Sequence, residues 1–476
     1  MVAIKSLGRK FALSLLAGGL LAASTSLHPI WWTAWFAAVP ALLVAFRSRW
    51  AAGFCWAFLS AAIGGIPMFL YLLAVAPPAV VTAFMGLLAV VFAAEVLLTA
   101  AARRLLPSPI AVFAFPACAA AFDVVLASVS PHGTALSFAY SQMAFAPALQ
   151  VAALGGTPAV VFVVDLVAAA LAFLIVEWPT PRKAFAGVLM AGFVATIAVG
   201  GGALRIAAAP VDPTTVVALA AIEQPSQLPT DWRAVLASYE PRVADAAANH
   251  ARLVVLPEEI AHVPLGALPQ ARAILASWAR AADATIAVGL RVGADGTGHN
   301  RLLVFGVDGV ERHYDKVHLI PGIEAGEVVP GVLPPLSVNI AGLPLGGAIC
   351  KDFDFPETAR LLSRGDARIV VAPAWDFGID AWLHSRMAVL RGVEGGFTLV
   401  RSARRGEMTV SDRYGRVIAA APSGATAPTL VVKAPMPNDH ATIYARAGDL
   451  FGWSCAALVA LLSAWLAACA VRRRRA

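Results

Sequence analysis

The chain has 476 residues, of which 59% are hydrophobic and 14% charged, and its mean hydropathy is +0.75. No soluble globular protein of this length needs so much apolar surface, so the composition excludes a wholly soluble chain and implies an integral membrane protein with a polar portion. The net charge of +7 gives no support to nucleic-acid binding, because the basic surplus stands beside apolar runs, at positions such as Lys5, Arg9, Lys10, Arg103, Arg104 and Arg472 to Arg475.

Apolar runs long enough for about 30 Å of hydrocarbon fall at 10–26, 29–46, 52–75, 78–101, 109–127, 157–177, 184–201 and 450–471. This predicts a membrane α-helical bundle of about eight spans. Residues 1–201 carry seven, and 450–476 form a C-terminal transmembrane helix with a basic tail. Lys and Arg cluster in every second connection, which predicts that both termini are cytoplasmic and that 202–449 is extracytoplasmic. The first run has a basic start and small residues at Ala22-Ala23-Ser24, as a cleavable signal peptide does. The charge alternation works with that run retained as a span. Glu95, Asp123 and Asp165 lie in apolar runs and are either functional acids or partners in inter-helix hydrogen bonds. In the connection 128–156, His132, Tyr140 and Gln142 are candidates to face a lipid headgroup.

Segment 202–449 has the size of one α/β domain. Short β-branched runs at 215–219, 253–256, 284–288, 302–305 and 369–372 alternate with helical stretches at 231–250 and 269–282. That alternation predicts a layered α/β fold. Asp308-Gly309 predicts a hairpin turn between Val304-Phe305 and Arg312-His313-Tyr314. No internal repeat is visible.

Five cysteines are present: Cys55, Cys118, Cys350, Cys455 and Cys469. Four fall in apolar runs, and their spacings offer neither a metal pair nor a disulfide framework. Cys350 stands alone in the polar portion, after the small-residue strand Leu345-Gly346-Gly347-Ala348-Ile349. Upstream are Glu258, after Val254-Val255-Leu256-Pro257, and Lys316, in Tyr314-Asp315-Lys316-Val317-His318-Leu319. Each residue alone has a plain structural reading: a helix-start acid, a solvated lysine, a buried thiol. Together a carboxylate, an ammonium and a thiol suit covalent thiol catalysis, in which the carboxylate takes the thiol proton and the ammonium stabilises the oxyanion. Glu259 competes with Glu258 for the base, but strand alternation points it away if Glu258 faces the site. Lys351 is placed to lower the thiol pKa. A lone histidine such as His318 reads as structural.

Pro257-Glu258, Tyr314 to Pro321 and Ala348-Ile349-Cys350 resemble the Glu-Lys-Cys signature of the nitrilase, or carbon-nitrogen hydrolase, superfamily. With seven spans before such a domain and one after, the chain resembles the apolipoprotein N-acyltransferase family over nearly its whole length. Ala139-Tyr140-Ser141-Gln142 with Gly155-Gly156 resembles an extracytoplasmic loop of that family, and Glu223 to Gln227 with Trp232 its domain entry. Glu324 stands where the family has a second active-site glutamate.

The resemblance implies a nitrilase-like αββα sandwich on the membrane base, in a bacterial inner membrane. It implies catalysis by Glu258, Lys316 and Cys350, with Glu324, Trp232, Tyr140 and Gln142 supporting or binding substrate. The implied reaction moves an acyl chain from a phospholipid donor, through a Cys350 thioester, to the N-terminal amine of a diacylglyceryl-cysteine lipoprotein. No metal or cofactor is implied, because the thioester stores the acyl group. Two other readings stay open: a membrane-tethered amidase or nitrilase-type hydrolase with the same triad, and a catalytically silent lipid-binding protein. The chain departs from the family pattern at Lys351-Asp352, at Asp376, at Arg404-Arg405-Gly406 and around Ile323 to Pro330. These departures bear on the acyl acceptor.

Overall fold

The structure is a computed structural model that describes residues 2–177, 181–222, 231–424, 429–438 and 441–475. Glu223 to Gln227 lie outside the described residues. The chain forms two compact units: Met1–Ser128, Leu136–Ala208 and Asp449–Ala476 make one, and Val129–Ala135 with Ala209–Gly448 make the other.

The first unit is helical. Among the described residues, six helices are long and apolar enough to cross a membrane: Leu7–Ser24, Pro78–Leu105, Ser108–Val129, Ala152–Glu177, Phe185–Ala207 and Leu450–Cys469. The pair Trp50–Gly64 and Ile66–Leu72, bent by 51°, makes a seventh if counted as one span. Against the expected count of about eight, the described residues thus give six or seven by length and composition. The run at 29–46 forms two short helices, Trp31–Ala37 and Val39–Phe46, separated at Ala38. Pro40 stands in the first turn of the second helix, where its missing N–H costs nothing, so a new helix starts there. Trp31–Phe46 is also shorter than the roughly 20 residues a span needs.

Inside this unit Thr157 donates a 2.7 Å hydrogen bond to Asp123, which bears out the inter-helix reading of that acid. Gln142 accepts from Trp35 Nε1 at 2.8 Å and donates to the Trp31 carbonyl at 3.0 Å. Both Tyr140 and Gln142 are buried.

The second unit has two sheets. One contains β1 (Thr214–Leu219), β2 (Leu253–Val255), β3 (His262–Val263), β4 (Thr285–Val292), β5 (His299–Phe305), β6 (Glu311–Asp315) and, later in the chain, β13 (Leu430–Pro435), ordered β13-β1-β2-β4-β5-β6 with β3 beside β4. The other contains β7 (Leu336–Ile340), β8 (Leu343–Gly347), β9 (Ile369–Trp375), β10 (Thr398–Arg404), β11 (Glu407–Ser411) and β12 (Val417–Pro422), ordered β12-β11-β10-β9-β8-β7. The central strands β1, β2 and β4 are parallel, as are β8, β9 and β10. They are buried on both faces, which is why they read as continuous apolar runs.

The sheets pack face to face, and each is covered by a helix pair. Trp232–Ala248 and Leu268–Ala282 cover the first sheet. Pro356–Arg364 and Ala381–Gly395 cover the second. Leu268–Ala282 buries Leu268, Ala271, Leu275, Trp278 and Ala279, a helical stripe that joins Trp232 and Tyr239 in the core. Truncating Leu275 to alanine there would cost about 2–5 kcal/mol. The result is an αββα sandwich, the layered arrangement expected.

The small residues before Cys350 have a packing cause. A Cβ on Gly346 would meet Ala367 at 2.6 Å and Leu362 at 2.8 Å, and one on Gly347 would meet Leu302 at 2.6 Å. Only glycine lets β8 fit between its covering helix and the opposite sheet.

Candidate active site

The site forms where strand ends converge. β2 and β4 are parallel, β4 and β5 antiparallel, and β5 and β6 antiparallel, so β2, β4 and β6 end on one edge. Glu258 follows β2 and Lys316 follows β6. From the other sheet, β8 leads to Cys350 and β9 to Asp376. The Glu258 N–H donates to the Ala374 carbonyl at 3.4 Å, which ties the two sets of ends together. Open α/β sheets favour sites at such carboxyl edges.

Lys316 is 1% exposed and Glu258 2%. Lys316 Nζ lies 2.8 Å from Glu258 Oε1 and 2.8 Å from both oxygens of Glu324. Glu324 also accepts the Ile320 N–H at 2.8 Å. Asn300 donates from one nitrogen to Glu258 at 2.6 Å and to Glu324 at 3.0 Å. Sequence reasoning missed Asn300. The signal was the hairpin: Arg301 pairs with Asp315, so the next position back sets residue 300 against residue 316, and the Lys316 N–H does donate to the Asn300 carbonyl at 2.9 Å.

Cys350 opens a 3₁₀ turn, Cys350–Asp354, with φ of +43°. A non-glycine residue in the left-handed region is strained and persists only where its surroundings hold it. Asp352 supplies that hold. Its buried carboxylate accepts from Tyr314 OH at 3.0 Å, from the Ile349 N–H at 3.1 Å and from the His318 N–H at 2.9 Å, and it lies 2.9 Å from His318 Nδ1. The His318 ring stacks on Phe355 at 3.6 Å, a structural role as expected.

Burial pushes the Cys350 thiol pKa up and the Glu258 charge adds to this, while Lys316 and Arg401 pull it down. Lys351 and the thiol attract electrostatically, but the direct contacts of the ammonium lie elsewhere. The Lys351 ammonium lies 3.1 Å from His132 Nδ1 and 3.7 Å from Asp354, turned to the segment Val129–Ala135. The resting thiol is therefore protonated. Burial also raises Glu258, with Lys316 opposing and Glu324 reinforcing, so this carboxyl is a better proton acceptor than an ordinary glutamate. Burial alone would lower Lys316, but Glu258 and Glu324 outweigh it and hold the ammonium charged.

Glu259 does not point away. Glu258 and Glu259 form a turn, and Glu259 has φ of +45°, so strand alternation has ended. Both side chains line one cavity of about 450 Å³, together with Lys316, Glu324, Trp375 and Arg405. A Cβ at Gly289 on β4 would meet Glu258 Cα at 2.6 Å, so glycine there lets this turn press against the sheet.

Of the other expected residues, Trp232 packs in the core behind the first sheet, under the Arg233 guanidinium. Tyr140 and Gln142 belong to the helical unit. Asp376 is held by Arg401 at 2.5 and 3.1 Å, Arg404 stacks on Trp375 at 3.9 Å, and Arg405 lines the cavity.

Residues 217–446 match the carbon-nitrogen hydrolase family. The chain is also similar, over about a third of its length, to proteins named apolipoprotein N-acyltransferase. The Geobacter metallireducens protein of that name is 29% identical over 178 residues, 32% of this chain and 32% of the relative. The Bradyrhizobium diazoefficiens protein is 33% identical over 203 residues, 37% of this chain and 35% of the relative. The Haemophilus influenzae protein is 29% identical over 184 residues, 33% of this chain and 34% of the relative. The matches thus span about a third of each relative's length. Among solved structures, the NitN amidase from Nesterenkonia sp. AN1 is similar at 21% identity, with a TM-score of 0.43, over 48% of this chain and 94% of that one. Another structure of an amidase from Nesterenkonia sp. gives 21% identity and a TM-score of 0.41, over 49% and 93%.

Proposed function

We propose that the chain is a membrane N-acyltransferase that moves an acyl group from a phospholipid, through a thioester on Cys350, to the amine of a diacylated lipoprotein. The observation that carries this reading is the Lys316 ammonium, buried and held at 2.8 Å by Glu258 and Glu324, acting on a thiol presented at a left-handed turn. The apolar helices around the domain in sequence, and the names of the three relatives, support a lipid donor and a lipoprotein acceptor.

In the first half-reaction Glu258 takes the Cys350 proton as Sγ attacks the ester carbonyl. Lys316 Nζ stabilises the tetrahedral oxyanion. Collapse breaks the ester C–O bond, Glu258 returns the proton to the leaving lysophospholipid oxygen, and a thioester remains. In the second half-reaction an amine attacks the thioester. Glu258 takes a proton from the attacking nitrogen and passes it to the departing Cys350 sulfur, leaving an amide. Glu324 and Asn300 keep Lys316 and Glu258 in register.

Both termini are cytoplasmic in this reading and the catalytic domain faces outward, in a bacterial inner membrane, because the basic clusters alternate along the helical unit. A phosphatase fused after residue 440 is then active and one fused after Ala476 inactive; the reverse would overturn the orientation.

The charged cavity wall, with Arg291, Glu327 and Arg405 beside the apolar Ile323 and Phe377, is what favours the hydrolase as a second reading. One assay separates them: incubation of the full-length protein with acyl-labelled phospholipid and a diacylated lipopeptide. Acyl transfer predicts a hydroxylamine-labile adduct on Cys350 and N-acylated peptide, both lost in Cys350→Ala. Release of free fatty acid without acylated peptide would select the hydrolase, and a labile adduct that survives Cys350→Ala would remove Cys350 from the mechanism.

A further inference from the structure

Nearly every charged group on the cavity wall is already matched. Lys316 is shared by Glu258 and Glu324. Arg291 donates to Asp295 at 2.9 Å and to Glu327 at 3.1 Å. Asp376 is held by Arg401, and the His262 ring is engaged with the Gly293 carbonyl. Glu259 and Arg405 are the exceptions. Glu259 is 5% exposed, lines the cavity, and its carboxylate accepts no hydrogen bond from a described residue; Arg404 donates to its backbone carbonyl and also feels its charge.

We infer that the Glu259 carboxylate docks the ammonium of the acyl acceptor and takes the proton that this ammonium must shed before it attacks. The inference rests on the acyl-transfer reading and names where its second substrate binds. The proton count requires such a group. In the second half-reaction Glu258 removes one proton from the attacking nitrogen and returns it to Cys350. A free amine enters mostly as R–NH₃⁺ and must lose another proton first. Glu259 takes it, R–NH₂ attacks the thioester carbonyl, and the proton leaves Glu259 for solvent through the cavity. The totals are R–NH₃⁺ and thioester in, amide, thiol and one H⁺ out.

The environment of Glu259 suits that task. Burial, reinforced by Glu258 and Glu324, pushes its carboxyl up to about 7, while Lys316 and Arg291 pull back. A free α-amine titrates near 8, so the two groups are matched as proton donor and acceptor. Arg405, the remaining cation on the wall, bears no hydrogen bond to Glu259.

The test has two arms. In a Cys350→Ala background, which cannot turn over, binding of a diacylated lipopeptide is compared with that of its N-acetylated form. Glu259→Gln should weaken the free-amine peptide about tenfold or more, the usual worth of a charge-assisted contact, and the acetylated peptide less than about twofold. Equal weakening of both, or of neither, overturns the inference. In the Cys350-containing protein, Glu259→Gln should cut transfer to the lipopeptide by about tenfold or more at pH 7, with recovery as pH rises and the amine arrives neutral. Transfer to hydroxylamine, largely neutral at pH 7, should change far less. Equal loss with both acceptors, or a loss that pH does not repair, would also overturn it. If the unsubstituted protein forms no thioester, the acyl-transfer reading fails by itself, and the binding arm still decides whether Glu259 docks an ammonium.

Discussion

Two buried ionic clusters flank Cys350, and they differ in their balance. The first, at the edge of the β1-containing sheet, sets one ammonium, Lys316, between two carboxylates, Glu258 and Glu324. Burial raises Glu258 because one lysine does not compensate both acids. The second, behind β9 and β10, sets Asp376 and Asp380 against Arg401 and His384. Here burial would raise Asp376, but Arg401 and His384 outweigh it and hold it low; burial would lower His384, but Asp376 and Asp380 outweigh it and push it up to about 9. The mismatched cluster stores proton affinity for chemistry, whereas the matched one stores none and secures the second sheet against the Cys350 turn. Buried charge is thus informative about function through its imbalance, not its amount.

This contrast is sharpest at Lys316 and Glu258. Lys316→Met and Glu258→Gln should each cut acyl transfer by about a hundredfold or more. The double variant should fall little further, because the pair acts as a unit. Additive losses, measured with labelled phospholipid and lipopeptide and with protein level checked, would show two independent groups. Arg401→Met should act the other way. It strands Asp376 in the interior and costs about 3–5 kcal/mol of stability, seen as earlier thermal unfolding in detergent, with activity per folded molecule much less affected. Lost turnover with unchanged unfolding would make Arg401 part of the chemistry and break the comparison. The smallest effect belongs to His384. Its folded pKa is raised above the free value, so its contribution is fully present below about 6.5 and is lost as pH rises through about 9. Unfolding temperature should decline by a few degrees across that window, and His384→Asn should flatten the decline. An unchanged slope in that variant would assign the pH dependence elsewhere.

Several parts of this molecule are written in local sequence. The apolar runs, the β-branched strands and the Asp308-Gly309 hairpin depend on near neighbours, and each is found close to where periodicity places it. Glu258, Lys316 and Cys350 were legible as strand-end residues in a recognisable order, and Gly346-Gly347 marked the tight strand before the thiol. The run at 29–46 misled because hydropathy does not register that one helix ends at Ala37 and another starts at Val39.

What tertiary structure alone decided lies in direction and pairing. Glu259 enters the cavity because β2 ends at Val255 and Glu258-Glu259 form a turn, so alternation no longer applies. Lys351 makes its direct contacts with His132 and Asp354 and reaches the adjacent thiol through charge alone. Asn300 and Asp352 matter because folding brings residues 24 to 42 positions away within hydrogen-bond reach. A sequence specifies which groups a chain carries and the period on which they repeat. Which charges remain unmatched depends on distances across two sheets, and only the packed sandwich sets those.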